Sequence, residues 1–128
     1  MTWERVPAGS VWGPVVGYCR AVRCGQMIVV AGTTAACEDG GPVGGTDIGL
    51  QTREALTRIV RALKELGADV EHVVRTRMFV TDISRWEEVG RVHGEFFGGV
   101  LPAATMVEVS SLIEPELMIE IEADAVLP

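Results

Sequence analysis

One segment constrains the fold more than any other. From Leu117 to Val126 the chain alternates strictly: Ile119, Ile121, Ala123 and Ala125 take one parity, and Glu120, Glu122 and Asp124 take the other. Successive strand residues point to opposite faces, so this is a β-strand with one face in an apolar core and three carboxylates on the other. A slip of one residue would bury the carboxylates, so the register is strongly specified. The apolar face needs a cover. Two helical stripes can supply it. Leu56, Ile59, Val60, Leu63 and Leu66 form the first, in a helix expected from Asp47 to Leu66 with Thr46 or Asp47 as cap and Gly67 just past its end. Val89, Val92, His93, Phe96 and Phe97 form the second, started by a Ser84–Glu87 capping box and ended at Gly98-Gly99.

Further strands are expected at Val15–Val22 and Met27–Ala31, hinged at Arg23-Cys24-Gly25-Gln26, then at Val73–Val80 and Thr105–Val109. Trp3–Val6 adds a short one. The segment from Glu38 to Gly45 is dense in turn formers and reads as a mobile surface loop. The order is β-β-α-β-α-β-β, an α+β domain spanning 1–128 with a mixed sheet. Two helices cover only one face of that sheet. Val16, Val29, Val74, Met78 and Val107 are assigned to the other face, which therefore meets water or a second subunit. A mean hydropathy of +0.27 in a 13.8 kDa chain fits subunit burial.

Charge and cysteine usage exclude several classes. The net charge of -7 repels phosphate backbones, so nucleic acid is not an expected partner. Cys19, Cys24 and Cys37 are odd in number and lack C-x-x-C spacing, and no Cys/His cluster resembles a metal site. A reducing cytoplasm is the expected location. Met1 to Arg5 lacks the apolar core of a signal peptide, and the apolar run Met27–Ala31 is too short for a membrane span. No serine lies in a G-x-S-x-G turn, no G-K-[ST] follows the paired glycines, and no His/Asp pair is placed to activate a cysteine.

The acidic stripe has two readings. Crowded or half-buried carboxylates have raised pKa values suited to acid/base work. Alternatively the stripe is a solvated or salt-bridged face, with Arg75 and Arg77 as cross-strand partners.

At this strand the chain resembles the Rid family, the reactive intermediate deaminases, once named for a perchloric-acid-soluble ribonuclease. The matching segments are Tyr18-Cys19-Arg20-Ala21-Val22, Met27 to Gly32, Val73 to Ile83, Glu95-Phe96-Phe97, Pro102-Ala103, Val107-Glu108-Val109 and Ile119 to Ala123. The resemblance implies a chorismate-mutase-like fold, a homotrimer around a central barrel, and clefts between subunits. It implies hydrolysis of imines and enamines with no metal or organic cofactor. It implies that Glu120 orients the hydrolytic water, that Tyr18 lines the cleft, and that Gly32 contributes backbone to it. Met106 matches the position whose carbonyl helps hold the water. One position departs from the family. Ala104 stands where typical deaminases carry an arginine that grips the substrate carboxylate, and Gly90 stands at a helix asparagine. The resemblance is therefore to an Arg-lacking branch.

Other residues could equip the altered cleft. His93 is a candidate acid or base, or else a core or interface histidine bonded to a carbonyl. Thr105 offers a hydroxyl beside Ala104. Arg20 shares parity with Tyr18 and is a candidate replacement guanidinium, or else an exposed strand cation. Three functions follow. The first is a cofactor-free hydrolase acting on a small imine, enamine or related reactive metabolite. The second is a non-catalytic trimer that binds a small metabolite or acts in regulation. The third is a ribonuclease or translation inhibitor, which the net charge opposes.

Overall fold

The computed structural model describes residues 3–128; Met1 and Thr2, the start of the segment expected to lack a leader, lie outside them. Its elements follow the apolar periodicities closely. A short strand β1 (Glu4–Pro7) precedes a single helical turn α1 (Gly13–Val16). Strands β2 (Cys19–Cys24) and β3 (Met27–Thr33) form a hairpin closed by Gly25 and Gln26, Gly25 at φ +63°. Helix α2 (Ile48–Glu65) follows, then β4 (Val73–Val80), helix α3 (Trp86–Phe97), β5 (Ala103–Glu108) and β6 (Ile119–Val126). The sheet order is β1-β2-β3-β6-β4-β5, with β4 and β5 parallel and every other neighbour antiparallel. This is the mixed α+β arrangement expected from the pattern.

The alternating strand β6 sits centrally, between β3 and β4. Ile119, Ile121, Ala123 and Ala125 are buried beneath α2 and α3, together with Leu56, Ile59, Leu63, Val89 and Phe97. Helix α2 starts where Asp47 accepts from the Leu50 N–H at 3.0 Å. One buried polar residue ties this helix to the sheet. Gln51 is fully buried; its Nε2 donates to Gly45 O (2.7 Å) and Glu116 O (3.0 Å), while its Oε1 accepts from Met118 N (2.9 Å). Gln51 thus anchors the loop that feeds β6. No helix among the described residues is long and apolar enough to cross a membrane.

Four local expectations are corrected. Val15 and Val16 belong to a helical turn, because Pro14 presets its start and Gly17 at φ +83° ends it; the strand begins at Cys19. Met78 is buried under the helices, because a bulge between Val73 and Arg75 shifts the parity of β4. The Ser84–Glu87 capping box is not formed. Helix α3 has no side-chain cap and continues from a 3-10 turn (Ile83–Arg85), which Asp82 caps by accepting from Ser84 Oγ and Ser84 N; these bonds hold its carboxyl below the ordinary value. Finally, β5 begins at Ala103, not Thr105, because it adds to β4 in parallel with Arg75 opposite Ala103.

Replacing Gln51 by leucine would strand two carbonyls and one N–H. The Gln51→Leu protein is expected to lose about 2–3 kcal/mol of stability, measured by urea unfolding.

Candidate functional site

The face of the sheet away from the helices carries the acidic stripe, and the three carboxylates meet different fates. Glu122 and Asp124 lie opposite Arg77 and Arg75 on β4. Arg77 Nη1 is 3.5 Å from both carboxylates, and Arg75 Nε is 3.9 Å from Asp124. For these two the salt-bridge reading holds. Glu120 lies opposite Phe79 and makes no ion pair among the described residues. It points into a pocket of about 1130 Å³.

A defect in the sheet makes room for it. Val30 pairs with Ala123 and Thr33 with Ile121, so β3 holds one extra residue, Ala31 and Gly32 together facing Glu122 on β6. The Glu120 carboxylate lies over Gly32. A β-carbon built there would fall into it, 2.9 Å from Cδ and 3.2 Å from Cγ. Glycine at 32 is therefore a steric requirement of this carboxylate's placement.

Arg20 holds the bulge. Its Nη1 donates to Gly32 O (2.7 Å) and Thr33 Oγ1 (3.0 Å). Its Nη2 donates to Ala8 O (3.1 Å) and, at the long limit, to the Tyr18 hydroxyl (3.5 Å). The guanidinium carbon lies 5.7 Å from the Tyr18 ring centroid, and Tyr18 Oη shares a 2.8 Å hydrogen bond with Ser10 Oγ. Tyr18, Arg20, Gly32 and Glu120 thus line one pocket, in which strand parity places only Tyr18 with Arg20. Arg20 is half-buried and fully engaged, so it is not the exposed strand cation. Its terminal N–H groups are bonded within the protein and do not offer the fork of a replacement substrate clamp.

Burial pushes the Glu120 carboxyl above its ordinary value of 4.5; repulsion from Glu122 adds to the rise and the charge of Arg20 opposes it. The pocket extends past the bulge to Trp12, to Cys37 and the glycines at 40 and 41, and to Arg58 and Arg61 on α2. Arg58 Nη1 donates to Thr34 O and Ala36 O, and its Nε pairs with Glu54, which fixes the segment leaving β3. Nothing in strand parity points to Arg58 or Gln51; each acts through backbone atoms distant in sequence.

The remaining candidate residues lie elsewhere within one chain. His93 is on the helix side of the sheet, opposite to Glu120. Its Nε2 is 2.9 Å from the hydroxyl of buried Thr76, its ring packs 4.7 Å from Phe97, and burial lowers its pKa. It is a half-buried histidine that meets a threonine hydroxyl in place of the expected carbonyl. Ala104, Thr105 and Met106 are on β5, with β4 between them and β6, so on the order of 10 Å of sheet separates them from Glu120. By register Ala104 and Met106 share the parity of Thr76 and Met78, and only Thr105 shares that of Arg77. The three cysteines are free and half-buried. Among the described residues no group of three His, Cys, Asp or Glu side chains is placed to hold a metal ion.

The chain has relatives among known proteins. The profile of the family described as endoribonuclease L-PSP matches residues 10–127. A RutC family protein of Pyrococcus abyssi is 33% identical over 112 residues, covering 88% of this chain and 87% of its own. A Mycobacterium tuberculosis member of the YjgF/YER057c/UK114 family is similar in structure with a TM-score of 0.89, at 52% identity, over 98% of this chain and 100% of its own. The TdcF protein of E. coli, solved with bound serine, has a TM-score of 0.81 at 26% identity over 97% and 94% of the two chains.

Because the raised pKa of Glu120 is a cost of burying charge, removing the charge is expected not to destabilise the fold. A raised folded-state value contributes stability below the ordinary carboxyl value, lost as pH rises through the folded one. At pH 7 the Glu120→Gln protein should melt at an equal or higher temperature than the parent, an advantage that shrinks as pH falls to 4 in scanning calorimetry.

Proposed function

The chain belongs to the endoribonuclease L-PSP family, the YjgF/UK114/RutC group to which its Rid resemblance points, and on that basis we propose that it is a cofactor-free hydrolase of small imines or enamines. The observation that carries this reading is the Glu120 carboxylate, unpaired, half-buried and lodged over Gly32 in a pocket shared with Tyr18 and Arg20. A carboxylate more basic than usual takes a proton from water more readily. Glu120 would accept a water proton as the oxygen attacks the imine carbon and return it to nitrogen; the hydroxyl proton of the carbinolamine then also passes to nitrogen as the carbon–nitrogen bond breaks. Carbonyl product and ammonia leave.

We further propose a homotrimer, in which the helix-free face of the sheet closes into a barrel. Val29, Val74 and Val107 are 37%, 48% and 42% exposed on the isolated chain. The outer edge of β5 pairs with no strand among the described residues. In a trimer it would bring Thr105 and Met106 to the pocket of the next subunit, with Ala104 beside them. Light scattering should give three chains per particle, and Val107→Asp should shift that mass downward.

A binding-only role is the second reading, favoured by the bare side chain of Ala104 on the β5 edge. The ribonuclease reading suits the pocket poorly, since its lining includes Glu38, Asp39, Glu65 and Glu114 as well as Glu120.

The Glu120→Gln protein is expected to lose about 10²–10⁴-fold in turnover of a hydrolysed imine, measured by semicarbazide trapping. Undiminished turnover would leave the binding-only role standing. The kcat/KM profile should rise with pH through an apparent pKa above 4.5, as Glu120 loses its proton. Glu122→Gln should move that limb to lower pH by removing a like charge. Arg20→Met should move it to higher pH by removing a cation.

A further inference from the structure

Recognition of a carboxylate by arginine needs two parallel N–H groups, offered either by the two terminal nitrogens or by Nε with Nη2. In this pocket both forks of both inner arginines are broken. At Arg20 the two terminal nitrogens are engaged by Gly32 O, Thr33 Oγ1, Ala8 O and Tyr18 Oη. At Arg58 both N–H groups of Nη1 are taken by Thr34 O and Ala36 O, and Nε is taken by Glu54, which also neutralises the charge. Arg61 is the other arginine of the lining; it is exposed on α2, with Glu65 one turn further on.

Against these stand five carboxylates on the same lining: Glu38, Asp39, Glu65, Glu114 and Glu120. A substrate carboxylate would enter a field of its own sign, where exposed Arg61 is the lining arginine left to meet it. A protonated imine meets the opposite situation, and its carbon is already activated toward water.

We infer that this pocket selects imines that lack a carboxylate, taking them as the iminium cation, and rejects those derived from amino acids. The inference rests on the hydrolase proposal above and specifies its substrate class. In the balanced reaction the iminium and one water give a carbonyl compound and ammonium. Water oxygen bonds to the iminium carbon while Glu120 takes one of its protons. That proton passes to the amino nitrogen, the carbon–nitrogen bond breaks, and the hydroxyl proton of the intermediate ends on the departing ammonia.

The test uses two imines that differ only in the carboxylate, one made in situ from phenethylamine by an amine oxidase and one from phenylalanine by an amino-acid oxidase. Excess hydrolysis over buffer is read by semicarbazide trapping. Calorimetry on the same protein compares binding of phenethylamine with that of 3-phenylpropionate. The expected result is at least tenfold greater acceleration for the carboxylate-free imine, with tighter binding of the amine. Equal or greater acceleration of the phenylalanine imine would overturn the inference while leaving imine hydrolysis intact. If that preference vanished in Arg61→Ala, the anchor would be Arg61. If neither imine were accelerated, hydrolysis would fall and binding alone would decide: tighter amine binding would uphold the charge selection, and equal, reversed or absent binding would overturn it.

Discussion

Burial of one face of β6 is the constraint on which the other features depend. The strand pairs with a neighbour on each side, and Ile119, Ile121 and Ala123 are sealed under two helices. Strand geometry then leaves Glu120, Glu122 and Asp124 no choice of face. Three carboxylates on adjacent same-face positions repel one another. Two are relieved by Arg75 and Arg77 across the ladder, and the third lies over Gly32 of the bulged segment of β3. The extra residue at Ala31-Gly32 interrupts the regular pairing, which resumes at Thr33, and the missing side chain of Gly32 leaves the space that the Glu120 carboxylate fills.

That relief has a thermodynamic signature. Glu120 is held where its charged form is disfavoured, and the surroundings tolerate this because the rest of the structure overdetermines the position. Gln51 secures the chain entering β6, Arg58 secures the chain leaving β3, and Arg20 secures the bulge itself. Each uses a long polar side chain to satisfy backbone atoms from distant segments, with no buried side-chain polar atom left unpartnered among the described residues. Holding a carboxylate in this way trades stability for basicity at one position.

Much of the fold is legible in local spacing. The two helical stripes, the hairpin at Gly25, the strand β4 and the alternation of β6 are local periodicities. Expectation and structure part where two local signals compete. Val15 and Val16 favour a strand, yet Pro14 and Gly17 bracket them into a helical turn. Ser84 and Glu87 match a capping box, yet Asp82 takes the Ser84 hydroxyl and N–H, and the helix starts one turn later from a 3-10 turn. The site is legible in part. Parity puts Tyr18 and Arg20 together and singles out the acidic stripe. For His93 the signal is its place on the inward helical stripe, which puts it over the apolar face and away from the carboxylates; its Thr76 partner depends on tertiary packing.

Spacing along the chain dictates which residues share a face, because side-chain direction in strands and helices follows from periodicity alone. It thereby dictates that one carboxylate stripe opposes the core and that the helices leave one face of the sheet uncovered. Folding decides which of the three carboxylates stays unpaired, since that depends on pairing register and on the bulge. It also decides what Arg20 does. A guanidinium is a charge in the sequence, but here its donors are consumed by carbonyls and hydroxyls that the chain brings together only on folding.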